Sequence, residues 1–374
     1  MLILLIVKEI HQMEMKNQID FGSFPTTRYQ GSKRKILSFI YDIANELVFE
    51  TVLDAFGGTA VVSYLFKKMN KSVTYNDNLK FNSIVGKVLV ENKQVTLSTD
   101  DVAKLLEKNR QFDYYSFVSN HFKDIYYLDD ENEWIDLVVS NIIQTNHYVE
   151  PILEFKKALA YYALFQACLV KRPFNLFHRR NLYLRTNDVK RSFGNKTTWD
   201  RPFKEHFHKF IMEANQLVFD NGKICKSLNS SVFDIEENEF DLVYFDPPYY
   251  RKSGYNETAD YLACYHFLEG LSDYQRWHEF LDYDSVNLRF KSTTAVQSKQ
   301  KDTKEYFEEL LYKFRKSIII LSYKYGGSPS ISYLVKLMKK VKGNVYTKSK
   351  HYKYALNKKN TQTQKNREVL IIGT

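Results

Sequence analysis

A chain of 374 residues with 44% apolar, 16% aromatic and 26% charged side chains has the make-up of a folded globular protein and excludes a disordered tail. Its formal charge of +10 favours an anionic partner. Cys168, Cys225 and Cys264 lie far apart and in no metal-ligand spacing, which argues against a disulfide framework or a metal site and for a reducing, cytoplasmic compartment.

Residues 1–7 are apolar, but Lys8 and Glu9 follow at once, so the run is too short to span a membrane and lacks the marks of a signal peptide. Residues 1–20 are read as an N-terminal leader, with Met13 or Met15 as alternative starts. Residues 32–47 suit a helix that carries Lys33 in its first turn. Residues 51–55 form a compact apolar run closing on Asp54. Phe56, Gly57 and Gly58 follow, and then a helical pattern over 60–69, which together predict a strand, glycine turn and helix. A second β run, 72–76, leads into Asp77 roughly twenty residues after that turn. Two adjacent units of this kind predict an α/β fold with a Rossmann-like sheet.

Residues 100–170 read as largely helical, and the apolar density of 151–170 suits a buried helix. From 171 to 210 arginines and lysines far outnumber acids and are interleaved with aromatics. Short β runs return at 240–245, 317–323 and 367–372. The simplest organisation is a discontinuous sheet domain, 21–95 and 226–374, interrupted by a mainly helical insert at 96–225. A late stretch, 336–367, is rich in lysine and holds no acid. It suits a DNA backbone as well as a solvated face.

The most specific signal is the run from Asp241 to Tyr249, in which an apolar strand delivers Asp246, Pro247, Pro248 and Tyr249 to its carboxyl end. Ligand crevices of open α/β sheets lie at that end. An exocyclic amine on a purine is a poor nucleophile because its lone pair is delocalised into the ring. A carboxylate and a backbone carbonyl that accept its two protons would free that lone pair, and proline presents a carbonyl without a competing donor. A tyrosine beside them could stack on a base that has left the duplex.

This run resembles the DPPY motif of amino-methyltransferases that act on adenine. The stretch Asp54, Ala55, Phe56, Gly57, Gly58 resembles the same superfamily's cofactor turn, with Ala60 where a further glycine is often found. Tyr29, Gly31 and Lys33 resemble the N-terminal motif of the Dam-like, D12 class, with Ser32 in place of its second glycine. The order of motifs is the α arrangement of the superfamily. The resemblance implies S-adenosyl-L-methionine as methyl donor, lying over Phe56, Gly57 and Gly58, with Tyr29, Gly31 and Asp54 also lining it. It implies Lys33 at the methionine carboxylate, Asp77 at the ribose hydroxyls, and Asp234 and Asp246 near the cofactor. In isolation Asp77 reads equally as a helix cap and Asp234 as a turn residue. His266, in a segment resembling the helix after the catalytic loop, is read as structural.

The basic segment resembles the target-recognition part of restriction–modification adenine methyltransferases. Lys171, Arg172, Asn175, Arg179, Arg180, Arg191, Asn195 and Lys196 are the expected contacts to double-stranded DNA, since arginine reads guanine and asparagine reads adenine bidentately. The expectation is therefore site-specific transfer to adenine N6 after base flipping, with no membrane and with a cognate restriction endonuclease as a further partner. The rivals are transfer to cytosine N4 and an inactive DNA-binding protein on the same scaffold. Methylation of a cytosine ring carbon is disfavoured, because no cysteine here stands beside a proline.

Overall fold

A computed structural model describes residues 19–188, 196–248, 260–291, 300–351 and 367–374. In chain order its principal elements are α1 (Leu37–Ala44), β1 (Thr51–Asp54), α2 (Val61–Lys68), β2 (Ser72–Asn76), α3 (Lys80–Gly86), α4 (Asp129–Gln144), α5 (Ile152–Val170) and α6 (Phe203–Leu217). There follow β3 (Lys226–Leu228), β4 (Leu242–Phe245), α7 (Tyr261–Ser272), α8 (Gln300–Lys313), β5 (Ile318–Lys324), α9 (Ile331–Val341), β6 (Val345–His351) and β7 (Arg367–Gly373). Among the described residues no helix is long and apolar enough to cross a membrane.

The strands form one sheet in the order β3-β2-β1-β4-β5-β7-β6. β7 runs antiparallel to both of its neighbours, and the other pairings are parallel. Every residue of β4 is buried, as a strand covered on both faces requires. The alternation of side chains divides the core in two. Val52, Leu242, Tyr244 and Ile320 face one cluster; Leu53, Val243, Phe245 and Leu321 face the other, beneath α8 and α9.

Strand order reverses at β1, whose neighbours are β2 on one side and β4 on the other. Connections leaving β1 and β4 at their carboxyl ends diverge, and a crevice opens between them. The register sets Asp54 opposite Tyr244, so the glycine turn after β1 and the Asp246 segment after β4 stand side by side.

Two features bear on the sequence expectation. Among the described residues of 96–225, Leu159 and Phe165 of α5 and Phe207 and Phe210 of α6 belong to the same cluster as Val52, Leu65 and Val73. These helices therefore complete one layer of the sheet domain. The second feature is β6, an edge strand inside the lysine-rich stretch. Lys348 is exposed and Lys350 half-buried on it. Lysines along an edge discourage pairing with another chain, which accounts for part of that charge without DNA.

Candidate active site

β1 closes on Asp54, whose carboxyl group is buried and accepts the Ser63 hydroxyl at 2.7 Å. Its Oδ1 has no hydrogen-bond partner among the described residues, and desolvation pushes its pKa up to about 7. Such an oxygen suits a ligand with a donor to offer.

The turn that follows needs its glycines. A Cβ on Gly57 would stand 2.1 Å from the Tyr75 ring, and Gly58 has a φ of +49°. Ala60, where the resemblance led us to expect a glycine, is left-handed as well, with a φ of 58° and no exposure. An alanine there bears a strain of about 1 kcal/mol that glycine would avoid. Asp77 follows β2, and its carboxylate accepts the backbone N–H of Gly58 at 2.9 Å and of Leu79 at 2.8 Å. It therefore shapes the glycine turn, and desolvation raises its pKa.

The N-terminal motif is clamped from α7. The Tyr29 ring stacks on Tyr265 at 4.3 Å and on Tyr261 at 5.5 Å, while the Gln30 N–H donates to the Tyr265 hydroxyl at 2.8 Å. Gly31, with φ +85°, lies so near that a Cβ would come within 2.9 Å of the Tyr261 hydroxyl. Beyond it Lys33, in the short 3-10 turn Lys33–Ile36, is buried. Its Nζ stands 2.8 Å from Asp246 Oδ1 and 3.2 Å from Glu368 Oε1. Burial alone would lower its pKa, but the two carboxylates more than offset this and hold it above the ordinary lysine range. The ammonium expected at the cofactor's carboxylate is engaged with two acids of the chain itself.

Asp246 is half-buried, Pro247 is buried and Pro248 half-buried at the end of β4. Tyr249 lies outside the described residues. Asp234 is exposed in the turn Val232–Asp234 that follows β3. The structure thus gathers Tyr29, Gly31, Lys33, Asp54, Phe56, Gly57, Gly58, Asp77 and Asp246 around one crevice. The D12 class N6 adenine-specific DNA methyltransferase family matches residues 29–326, a span that holds every one of these groups except Glu368.

The chain belongs to this family. It is also 28% identical over 232 residues to the Type II methyltransferase M2.HphI of Haemophilus parahaemolyticus, a match covering 60% of this chain and 66% of that protein. The chain thus spans slightly under two thirds of that relative's length.

In this member of the D12 class the basic segment is not all surface. Lys171 and Arg172 are buried, which corrects their expected place against DNA. Lys171 Nζ stands 2.5 Å from Glu131 and donates to the Arg201 carbonyl. Glu131 also receives both Nη atoms of Arg185, at 2.9 and 2.7 Å. Arg172 lies over the Tyr126 ring and donates to the carbonyls of Leu176, Arg179 and Arg180, so it folds the 172–180 loop from within. Buried and turned toward partners within the fold, neither cation faces a phosphate. Arg179, Arg180 and Lys196 are exposed, Asn175 is half-buried in a left-handed conformation, and Arg191 and Asn195 lie outside the described residues. In the late stretch, Lys340 pairs with Glu308 and Lys342 donates to the carbonyls of Arg315 and Ser317.

His266 is buried, with Nε2 2.8 Å from the Tyr126 hydroxyl, and burial lowers its pKa to about 3. That is a packing role, as expected. Sequence reasoning passed over Glu368 and Glu269. Glu269 accepts the N–H groups of Lys80 and Phe81 at 2.9 and 3.0 Å and so fixes the start of α3 beside Asp77. The available signal for Glu368 was an acid inside an otherwise apolar strand.

Asp77→Ala is expected to weaken S-adenosyl-L-methionine affinity roughly 10- to 100-fold, since a charged acceptor and the support of Gly58 are lost together. Titration calorimetry reads this directly. Unchanged affinity would remove Asp77 from the site.

Proposed function

We propose that this chain transfers a methyl group from S-adenosyl-L-methionine to the N6 amine of an adenine flipped out of duplex DNA. The observation that carries the reading is the Asp246, Pro247, Pro248 run at the carboxyl end of β4, beside the glycine turn of β1. Family membership supports the same chemistry. The residues of the crevice fit the cofactor: the partnerless Oδ1 of Asp54 can accept from an ammonium or hydroxyl, and Gly58 leaves room for a close approach.

The bound cofactor supplies an electrophilic methyl group on a sulfonium. The chain supplies geometry and acceptors. Asp246 accepts a hydrogen bond from one N–H of the adenine amine and the Pro247 carbonyl accepts one from the other, which turns the nitrogen lone pair out of the ring plane and toward the methyl group. As the N–C bond forms and the S–C bond breaks, one of the two N–H protons leaves through Asp246 to solvent. Lys33 keeps the Asp246 carboxylate charged and oriented while the base arrives. Transfer is direct, with no covalent bond between protein and base. Arg179, Arg180 and Lys196 supply exposed cations for the duplex. The name of M2.HphI, a Type II methyltransferase, supports a place in a restriction–modification system beside a cognate endonuclease.

The test is transfer of labelled methyl groups to mixed-sequence duplex, with the modified nucleoside identified after digestion. N6-methyladenine is expected. N4-methylcytosine would replace the reading with its cytosine counterpart, and no transfer at all would leave a DNA-binding scaffold.

A further inference from the structure

We propose that Glu368 is a positioning residue for methyl transfer, acting through Lys33. This rests on the reading of Asp246 as the acceptor of the adenine amine. Glu368 sits on β7 with no exposure, amid Val369, Leu370, Ile371 and Ile372. A buried ion pair is a weak source of stability compared with apolar residues of similar volume, so an acid in this place calls for another reason. Its surroundings supply one. Oε1 accepts the Ser322 hydroxyl at 2.8 Å from the neighbouring β5, and Ser322 is itself buried. The same oxygen stands 3.2 Å from Lys33 Nζ, which also lies 2.8 Å from Asp246 Oδ1.

One ammonium is therefore shared between two carboxylates. Glu368 is held by a strand hydrogen-bonded on both edges, whereas Lys33 is a long side chain on a single 3-10 turn. The rigid acid fixes where the flexible cation stands. It also divides the cation's attraction, and this decides the chemistry. A lysine facing Asp246 alone would bind its oxygen tightly and compete with the adenine amine for the same lone pairs. With Glu368 as a second counter-ion, Lys33 orients Asp246 without occupying it, and can lean toward Glu368 as the base enters.

Single-turnover methylation at saturating cofactor and duplex tests this with a double-mutant cycle. Glu368→Gln keeps the shape and the acceptance from Ser322 but removes the charge. It is expected to slow transfer roughly tenfold or more while both dissociation constants stay within about twofold. In a Lys33→Met background, already slow, the same change is expected to alter the rate less than about twofold. A Glu368→Gln rate near wild type would overturn the proposal. So would an equal loss in the Lys33→Met background, since the residue would then act through the fold alone. Should Glu368→Gln fail to fold by its melting curve, Ser322→Ala carries the test: it is expected to slow transfer less, again only when Lys33 is present, and no slowing refutes the role. Asp246→Ala run alongside separates the two failures. Full activity there rejects the acceptor reading itself, whereas an inactive Asp246→Ala beside a fully active Glu368→Gln rejects only the part assigned to Glu368.

Discussion

Replacing Asp246 by alanine is expected to reduce methyl transfer by at least about a thousandfold while duplex affinity changes less than about twofold. In the proposed reading the carboxylate contacts the amine and not the phosphates, so its loss should fall on the chemical step. The variant should also remain folded, because Lys33 keeps Glu368 as a counter-ion and no buried cation is stranded. Rapid-quench single turnover gives the rate, and a 2-aminopurine reporter at the target position gives the flipped population independently. Near-normal turnover in Asp246→Ala would reduce the Asp246, Pro247, Pro248 run to a strand-end turn.

Glu131→Ala is expected to be strongly destabilising, costing roughly 3–5 kcal/mol. Removing this acid leaves Lys171 and Arg185 buried without their carboxylate, on the segment that leads into the exposed Arg179 and Arg180. Thermal unfolding measures the loss, and a change below about 1 kcal/mol would show that the triad is not what orders this segment. The pH dependence follows from the same contacts. Burial raises the Glu131 pKa, yet the Arg185 and Lys171 cations more than offset it, and the folded value lies below the ordinary one. Its contribution is complete above the unfolded value near ~4.3 and is lost as pH falls through the lower folded value. Glu131→Gln should therefore lose less stability than the parent protein between about pH 5 and pH 2.

These two sites show what the sequence could and could not disclose. Asp246 was legible because its function needs a fixed local order, an apolar strand, an acid and two prolines, and no distant residue changes what that order presents. The β1 and β2 units were legible for a similar reason: apolar runs, a glycine pair and a terminal acid are all within one short stretch. Lys171 and Arg172 were misassigned because a count of charges registers composition and not burial. Their partners, Glu131 and the carbonyls of the 172–180 loop, become visible only once α4 and α5 are packed. β3 has three residues and carries no pattern long enough to read, and β6 is disguised by the lysines that protect an edge. That α5 and α6 share a core with the sheet was not legible either, because it depends on which face meets which neighbour. Lys33 was expected at the cofactor's carboxylate, and its partners in the fold, Asp246 and Glu368, lie far along the chain.

The place of β7 has a consequence for how the protein comes to act as it is made. It is the latest of the seven strands in chain order, yet it is inserted between β5 and β6, and it brings Glu368 to Lys33. Until β7 is made, Lys33 lacks Glu368 as its second counter-ion, and β5 and β6 lack the strand that pairs with both. The sheet beside the Asp246 segment therefore closes only once the chain from residue 367 onward has folded into place.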